Sequence, residues 1–178
     1  MSPEFVRTLA RYNHWMNEKL YGLAAKLNDE ERKRDRGAFF KSIHGTFNHL
    51  LVADRVWLAR FKGEPAPDGF MAAGIRSLDQ ELYEDFEQLR RERALTDAEL
   101  SAWVGGLTEN QLAGPFSYRR RGQPQEHPLW WALAHAFNHQ THHRGQLTTL
   151  FTQSGIDPGV TDLIAMILDD AAAIRQPG

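Results

Sequence analysis

The sequence predicts an all-α protein: a four-helix bundle with a short extra C-terminal helix and a small hairpin or irregular excursion before the fourth helix. Apolar residues recur at steps of three and four along four long segments, the period of a helix with one buried face. We expect the four long helices to be antiparallel in the bundle. The chain has 178 residues, of which 42% are hydrophobic and 25% charged. These values predict a single domain over residues 1–178, with a core large enough to fold without disulfides.

The first helix is predicted to begin at Ser2 and Pro3, which suit the N-cap and the first helical position. Its apolar stripe comprises Phe5, Leu9, Tyr12, Met16, Leu20, Leu23 and Leu27. Asn28 and Asp29 are expected to end it.

The second helix is predicted from another stripe at the same steps: Phe40, Ile43, Phe47, Leu50, Asp54, Trp57 and Phe61. Asp54 is the one carboxylate in this apolar row. Gly63 and the Pro- and Gly-containing residues 65–69 are expected to end the helix and form a loop.

The third helix is indicated by Leu78, Leu82, Phe86 and Leu89. The pattern extends to Trp103, but Thr96 and Glu99 have the spacing of a capping box that would start a new helix. The sequence leaves one helix or two open.

The fourth long helix is predicted to start near Pro128 and to stop at Gly155. Its apolar residues are Trp130, Leu133, Phe137, Leu147 and Phe151. Before it, Gly105-Gly106 breaks the helical pattern, and residues 116–122 are predicted to form the hairpin or excursion. A short apolar helix is expected over residues 163–168.

Composition excludes several classes of function. The net charge of −2 provides no basic field for nucleic acid or an anionic membrane. No apolar run approaches the ~20 residues that span a bilayer, so a cytoplasmic protein is expected. The absence of cysteine excludes disulfides, zinc–thiolate sites and a cysteine nucleophile. Any thiol chemistry would need an external thiol.

Histidine is the unusual component: the chain has eight, and several lie in residues 135–143. His139 and His143 are four positions apart, about 40° around a helix and ~6 Å along it, so both imidazoles can reach one ion. Their face is distinct from the apolar face of the same helix. This spacing favours metal binding. A solvated polar face, or hydrogen-bonded core histidines, is the structural alternative.

A metalloprotease is excluded by one residue. His139 and His143 have the His-x-x-x-His spacing of zincins, but position 140 is glutamine. A zincin needs glutamate there as the general base.

A third ligand must come from another helix, and the second helix offers His44, His49 and Asp54. His49 lies about 120° from the centre of the apolar stripe. It is surrounded on that side by small residues, namely Ser42, Gly45, Thr46 and Ala53. His49 therefore suits a cleft, although spacing alone equally allows an exposed helix histidine. Asp54 equally suits a buried, hydrogen-bonded core position.

The chain resembles the DinB/YfiT-like family of metal-binding four-helix bundles over nearly its whole length. The resemblance rests on four segments: Tyr12-Asn-His-Trp15-Met-Asn17, His49-Leu-Leu-Val-Ala-Asp-Arg-Val-Trp57, Phe137-Asn-His139-Gln-Thr-His142-His143-Arg-Gly-Gln146 and Thr161-Asp162-Leu163. It implies a three-histidine site with ligands at His49, His139 and His143 and an open metal position facing a cavity. It further implies nickel or zinc as the metal, use of a low-molecular-weight thiol in a transferase or isomerase reaction on a small-molecule substrate, and a homodimer. Three neutral imidazoles by themselves suit Zn, Ni, Co, Cu or Fe(II).

The remaining histidines can be ranked against this set. His135, His139 and His143 together span about 12 Å along the axis, too far for one ion with Zn–N bonds of ~2.0–2.1 Å. The resemblance keeps His143 over His135. His142 points about 60° away from His139 and is better placed for solvent or a supporting contact. His14 is a candidate lining residue of the cavity.

Two other functions remain open from the sequence. The first is metal-assisted hydrolysis, for which Asp54 and Glu18 are the candidate general bases. The second is a metal-stabilised binding protein without turnover. Trp15 could line the cavity but is more simply a packing residue.

Overall fold

The computed structural model describes residues 1–64, 74–120 and 122–168. Its helices are α1 (Pro3–Ala24), α2 (Asp29–Lys33), α3 (Ile43–Phe61), α4 (Phe86–Gly105), α5 (Glu109–Ala113), α6 (Leu129–Gln153) and α7 (163–168), and its strands are β1 (Pro115–Arg120) and β2 (Gln123–Pro128). The four long helices α1, α3, α4 and α6 form a bundle. The fold class predicted from the sequence is confirmed.

Each long helix packs against two others: α1 and α3 each contact both α4 and α6. The α3/α6 pair is antiparallel, because His49 contacts His143 whereas the later Asp54 contacts the earlier Gln140. The α3/α4 pair is parallel, because Arg55 pairs with Glu92 and Lys62 with Glu99.

The α1/α6 pair is also parallel. Met16 and Leu20 share a cluster with Leu147, while Val6 shares one with the earlier Leu133. The sequence-based expectation of an all-antiparallel bundle was therefore wrong. A long connection, residues 62–85, lets α4 run in the same direction as α3, as crossover connections do in other bundles.

The N-terminus of α1 forms as predicted: the Ser2 hydroxyl accepts from the Phe5 N–H at 3.2 Å, and Pro3 is the first helical residue. The predicted end was wrong. The helix stops at Ala24, and Asn28 instead caps α2 by accepting from the Glu31 N–H at 2.8 Å. Because the Asn28 side chain caps α2, it competes with continuation of α1. The helix α1 therefore ends before the apolar stripe does.

The third predicted helix also differs at its start. Asp85 caps α4 by accepting from the Gln88 N–H at 2.7 Å, so Leu78 and Leu82 lie in the preceding connection. The helix is single, because Thr96 lies inside it and donates its hydroxyl to the Glu92 carbonyl at 2.8 Å.

The two larger apolar clusters of the core are separated by a polar layer, and a small third cluster contains Val52, Val56 and Ile75. One cluster lies towards the hairpin and contains Val6, Leu58, Phe61, Val104, Leu133 and Phe137. The other contains Met16, Leu20, Phe47, Leu89, Leu147 and Phe151. Phe5 and Trp130, both predicted in apolar stripes, are 46% and 37% exposed. They lie at the edge of their helices' buried faces, where periodicity by itself does not separate edge from centre.

The polar layer connects all four long helices. Arg93 of α4 pairs with Asp54 of α3 and with Asp97, both at 2.8 Å. From α1, Asn13 and Asn17 donate to Asp97 at 3.1 and 3.0 Å. From α6, Gln140 donates to Asp54, and Arg144 donates to Asn13. All seven side chains are buried. Because α6 is tied to both α3 and α1, its position along the bundle is fixed at the level of the histidines.

The predicted hairpin is confirmed. Strands β1 and β2 pair antiparallel, with Phe116 opposite His127, and Gly122 has a positive φ of 74° in the turn. The predicted loop at 65–69, like Arg121 of the hairpin, lies outside the described residues. Within the described ranges, every helix is too short or too polar to cross a bilayer.

Candidate metal centre

His49, His139 and His143 converge between α3 and α6. Their Nε2 atoms form a nearly equilateral triangle: 3.2 Å separates His49 from His139, and 3.1 Å separates His143 from each of the other two. His49 and His143 are buried, and His139 is partly buried. The three residues proposed from the sequence are therefore brought together by the fold.

Hydrogen bonds at Nδ1 determine the tautomer of two of these rings. The Nδ1–H of His49 donates to the carbonyl oxygen of Leu78 at 2.7 Å. Because a carbonyl oxygen can only accept, Nδ1 carries the proton and Nε2 of the neutral ring is a bare lone pair. The Nδ1–H of His143 donates to Oε1 of Gln146 at 2.7 Å, which gives that ring the same tautomer.

Electrostatics keep the three rings neutral. The pKa of His49 is lowered to about 4 and that of His139 to about 3, in both cases chiefly by burial, and the neighbouring histidines contribute to the lowering in His139. Burial also lowers the pKa of His143, although the Gln146 hydrogen bond opposes the shift. At neutral pH the site therefore offers uncharged imidazoles, the form that binds metals.

This donor set fits a metal ion. Three nitrogens bound tetrahedrally to one ion at ~2.0–2.1 Å stand about 3.3–3.4 Å apart, close to the observed separations. Two bare Nε2 lone pairs 3.1 Å apart repel one another, and a cation between them removes that repulsion. The triad could thus hold a metal ion, and its ligands come from two helices held in register by the polar layer.

A cavity of about 510 Å³ opens beside the triad. Besides the three histidines it is lined by Phe39, Phe40, Leu78, Asp79, His142 and Gln146. Sequence analysis did not identify Phe39, Phe40, Leu78 or Asp79 as site residues. They lie in the connections before α3 and before α4. The helical period at Phe40 and Leu78 predicted buried helix faces and gave no indication of a site.

The carboxylates nominated for hydrolysis do not line this cavity. Asp54 is buried in the polar layer against Arg93 and Gln140. Glu18 is exposed and pairs with His14 at 3.5 Å. Asp79 contributes a carboxylate to the lining, and a hydrogen bond from Ser77 lowers its pKa. A low pKa makes Asp79 a weak base at neutral pH.

The other nominated residues have separate partners. His14 lies 3.8 Å from Asp97, and Trp15 packs on the second apolar cluster and stacks on Tyr12, so neither lines the cavity. His44 is buried against Glu81, and the His135 ring lies beside Trp57. His142 lines the cavity but is exposed, as its helical position predicted.

Comparison with known proteins identifies the family and agrees with this fold. The sequence profile described as the DinB family matches residues 1–171. This chain belongs to the DinB family. The DinB protein of Bacillus subtilis (strain 168) is 24% identical over 164 residues, covering 89% of this chain and 91% of that relative.

The fold of this DinB-family chain also matches a solved structure. A crystal structure of a DinB-like protein from Bacillus cereus ATCC 10987 superposes with a TM-score of 0.58 at 21% identity. The match covers 82% of this chain and 90% of that one. At this identity it supports the bundle fold, and the function must be argued from the site.

Proposed function

We propose that this DinB-family protein binds one divalent transition metal, nickel or zinc, on His49, His139 and His143. The observation that carries the proposal is the Nε2 triangle with 3.1–3.2 Å sides, in which the Leu78 carbonyl leaves His49 with a bare inward lone pair. Three protein ligands and an adjacent cavity are typical of a catalytic site, whereas structural sites are closed by four protein ligands.

We further propose a thiol-dependent transferase or isomerase acting on a small molecule. When bound, the metal would supply a Lewis acid that favours the thiolate form of a thiol at neutral pH. The protein's own groups hold His49 and His143 in the tautomer with a free Nε2, and Phe40 covers the His49 ring. The chain has no cysteine, so the thiol would be a small cellular one, and we place the protein in the cytoplasm, where free thiols persist.

The metal proposal is tested first by elemental analysis of protein purified without a histidine tag. Alanine at His49, His139 or His143 should each lower metal occupancy sharply. His142→Ala is the matched control on the same helix and should leave occupancy nearly intact. His135→Ala should have an intermediate effect, because His135 packs beside His139. His14→Ala should leave occupancy nearly intact, because His14 does not line the cavity. If His49→Ala binds metal as tightly as wild type, the inter-helix site is wrong.

The activity is tested with a small thiol and 1-chloro-2,4-dinitrobenzene. The sulfur–carbon bond forms as the carbon–chlorine bond breaks, chloride leaves, and the thiol proton passes to the buffer. Metal-loaded protein should accelerate this reaction and metal-free protein should not. Equal rates with and without metal would eliminate the thiol mechanism. Metal-dependent hydrolysis of an ester without thiol would favour a hydrolase, and inactivity in both assays would favour a binding protein.

We also propose that the protein is a homodimer. Trp130 and Trp131, at the start of α6, are 37% and 55% exposed, and Phe5 is 46% exposed. Large apolar side chains on the surface are common at protein–protein interfaces. Sedimentation at micromolar concentration should give a dimer, and a clean monomer would remove this proposal.

A further inference from the structure

We propose that Phe39, Phe40 and Leu78 form an apolar wall that selects ligands carrying an aromatic ring next to the metal-binding atom. This inference rests on the proposed metal site and names the class of ligand that the site accepts. The three side chains line the same cavity as the histidine triad. They are called the apolar wall below.

The two phenylalanines are placed against the triad itself. The ring of Phe40 stacks on the ring of His49, with centroids 3.7 Å apart and planes inclined by 15°, and meets His143 edge-on at 5.4 Å. Phe39 packs edge-to-face on Phe40 at 4.8 Å, yet is 84% exposed. An aromatic ring that enters the cavity would therefore meet the exposed face of Phe39, next to the Phe40 ring that covers His49.

A tight turn holds this pair in place. The Lys41 N–H donates to the Ala38 carbonyl at 2.8 Å, and the Arg36 N–H donates to the Lys41 carbonyl at 2.8 Å. Lys41 has a φ of 64°, a left-handed conformation that non-glycine residues rarely adopt and that is retained where the surroundings require it. The rings are thus presented by an ordered backbone.

The turn also sits directly on the first turn of α3. A Cβ built on Gly45 would lie 2.3 Å from the Phe40 carbonyl oxygen, so only glycine allows this approach. Ser42, between the turn and the helix, caps α3 by accepting from the Gly45 N–H at 2.9 Å. The sequence around the turn is therefore fitted to bring Phe40 onto His49.

Leu78 completes the wall from the other connection. Its carbonyl oxygen holds the Nδ1–H of His49 at 2.7 Å, so its position is tied to the ligand it accompanies. By contrast, the cavity on the other side of the same two phenylalanines, about 620 Å³, is lined largely by polar and charged residues, among them Lys33, Asp35, Lys41, Glu81 and Glu84. The metal side is the apolar side of this turn.

The test measures binding, not turnover, in zinc-loaded protein by calorimetry. Two ligand pairs are used, and in each pair one member carries an aromatic ring that the other lacks: benzyl mercaptan against ethanethiol, and 4-phenylimidazole against imidazole. In wild type the aromatic member of each pair should bind about tenfold more tightly, the gain expected when a ring stacks on aromatic side chains. Phe39→Ala should reduce this ratio to about twofold. It should not change zinc affinity, because Phe39 packs on Phe40 and not on any of the three histidines.

Leu95→Ala is the matched control, since Leu95 is also a large exposed apolar residue but lies on α4 and does not line this cavity. It should keep the wild-type ratio. Equal affinities within both pairs in wild type, or an unchanged ratio in Phe39→Ala, would overturn the inference while leaving the metal site intact. If neither thiol binds but 4-phenylimidazole still binds more tightly than imidazole, the thiol function fails and the apolar wall stands. Failure to bind zinc would overturn both.

Discussion

The hydrogen bond from His143 to Gln146 provides a sharp test of the metal site. Gln146 accepts from the Nδ1–H of His143 at 2.7 Å and is the acceptor that holds this ring in the tautomer with a free Nε2. Acceptors behind a ligating histidine orient the ring and raise its basicity, and their loss typically weakens metal binding 10–100-fold. Gln146→Leu should therefore raise the zinc dissociation constant by about 10–100-fold, or about 1.4–2.7 kcal/mol.

Two further variants separate this effect from a change in folding. Gln146→Glu keeps an acceptor and should bind zinc at least as tightly as wild type. Gln153→Leu is an exposed change on the same face of α6, about 10 Å further along the helix, and should have no effect on zinc.

The assay is competition with a chromophoric chelator at pH 7, together with urea unfolding of the metal-free proteins. Gln146 is only partly buried, so its leucine variant should keep its free energy of unfolding within about 0.5 kcal/mol of wild type. Zinc binding by Gln146→Leu as tight as wild type would refute the role given to this hydrogen bond. An equal loss of zinc affinity in Gln153→Leu would mean that any apolar substitution on this face of α6 weakens zinc binding, whether or not it removes the hydrogen bond to His143.

Three further predictions concern stability. Arg93→Met leaves two buried carboxylates without their cation and should lower the free energy of unfolding by about 3–5 kcal/mol; a loss below about 1 kcal/mol in a urea titration would contradict the account of the polar layer. Gly45→Ala should cost about 1–3 kcal/mol in the same titration, because the added methyl meets the Phe40 carbonyl; wild-type stability would mean that the turn moves freely. The pKa values of His49 and His139 lie below the ordinary 6.5, so the unfolded chain takes up protons first as the pH falls. Metal-free protein should therefore lose stability as the pH falls from about 6.5 to about 3, and denaturation midpoints that do not change over this range would disprove the shifts.

The histidine pair on α6 was predictable because its geometry is local. Residues four apart on a helix always lie on one side about 6 Å apart, so His139 and His143 could be paired from the sequence. The same rule placed His142 towards solvent. The long helices were predictable for the same reason, since a periodic apolar stripe reports a buried face wherever the helix packs.

The third position could not be decided by spacing. His44, His49 and Asp54 were all open on the residues of α3, and the resemblance to the DinB/YfiT-like family selected His49. The fold shows why the other two differ: His44 is held by Glu81, and Asp54 is held by Arg93. These partners come from residues that lie 37 and 39 positions away along the chain, so no local pattern records them.

The tertiary structure alone decided what surrounds the triad and how the helices run. Phe40, the Leu78 carbonyl and Asp79 belong to connections outside the long helices, and they reach the site only because those connections pass beside the triad. The direction of α4 likewise depends on a connection whose length permits either orientation. Contacts within one helix are fixed by backbone geometry, whereas contacts between elements depend on how the whole core packs. The site lies between α3 and α6, so it is of the second kind.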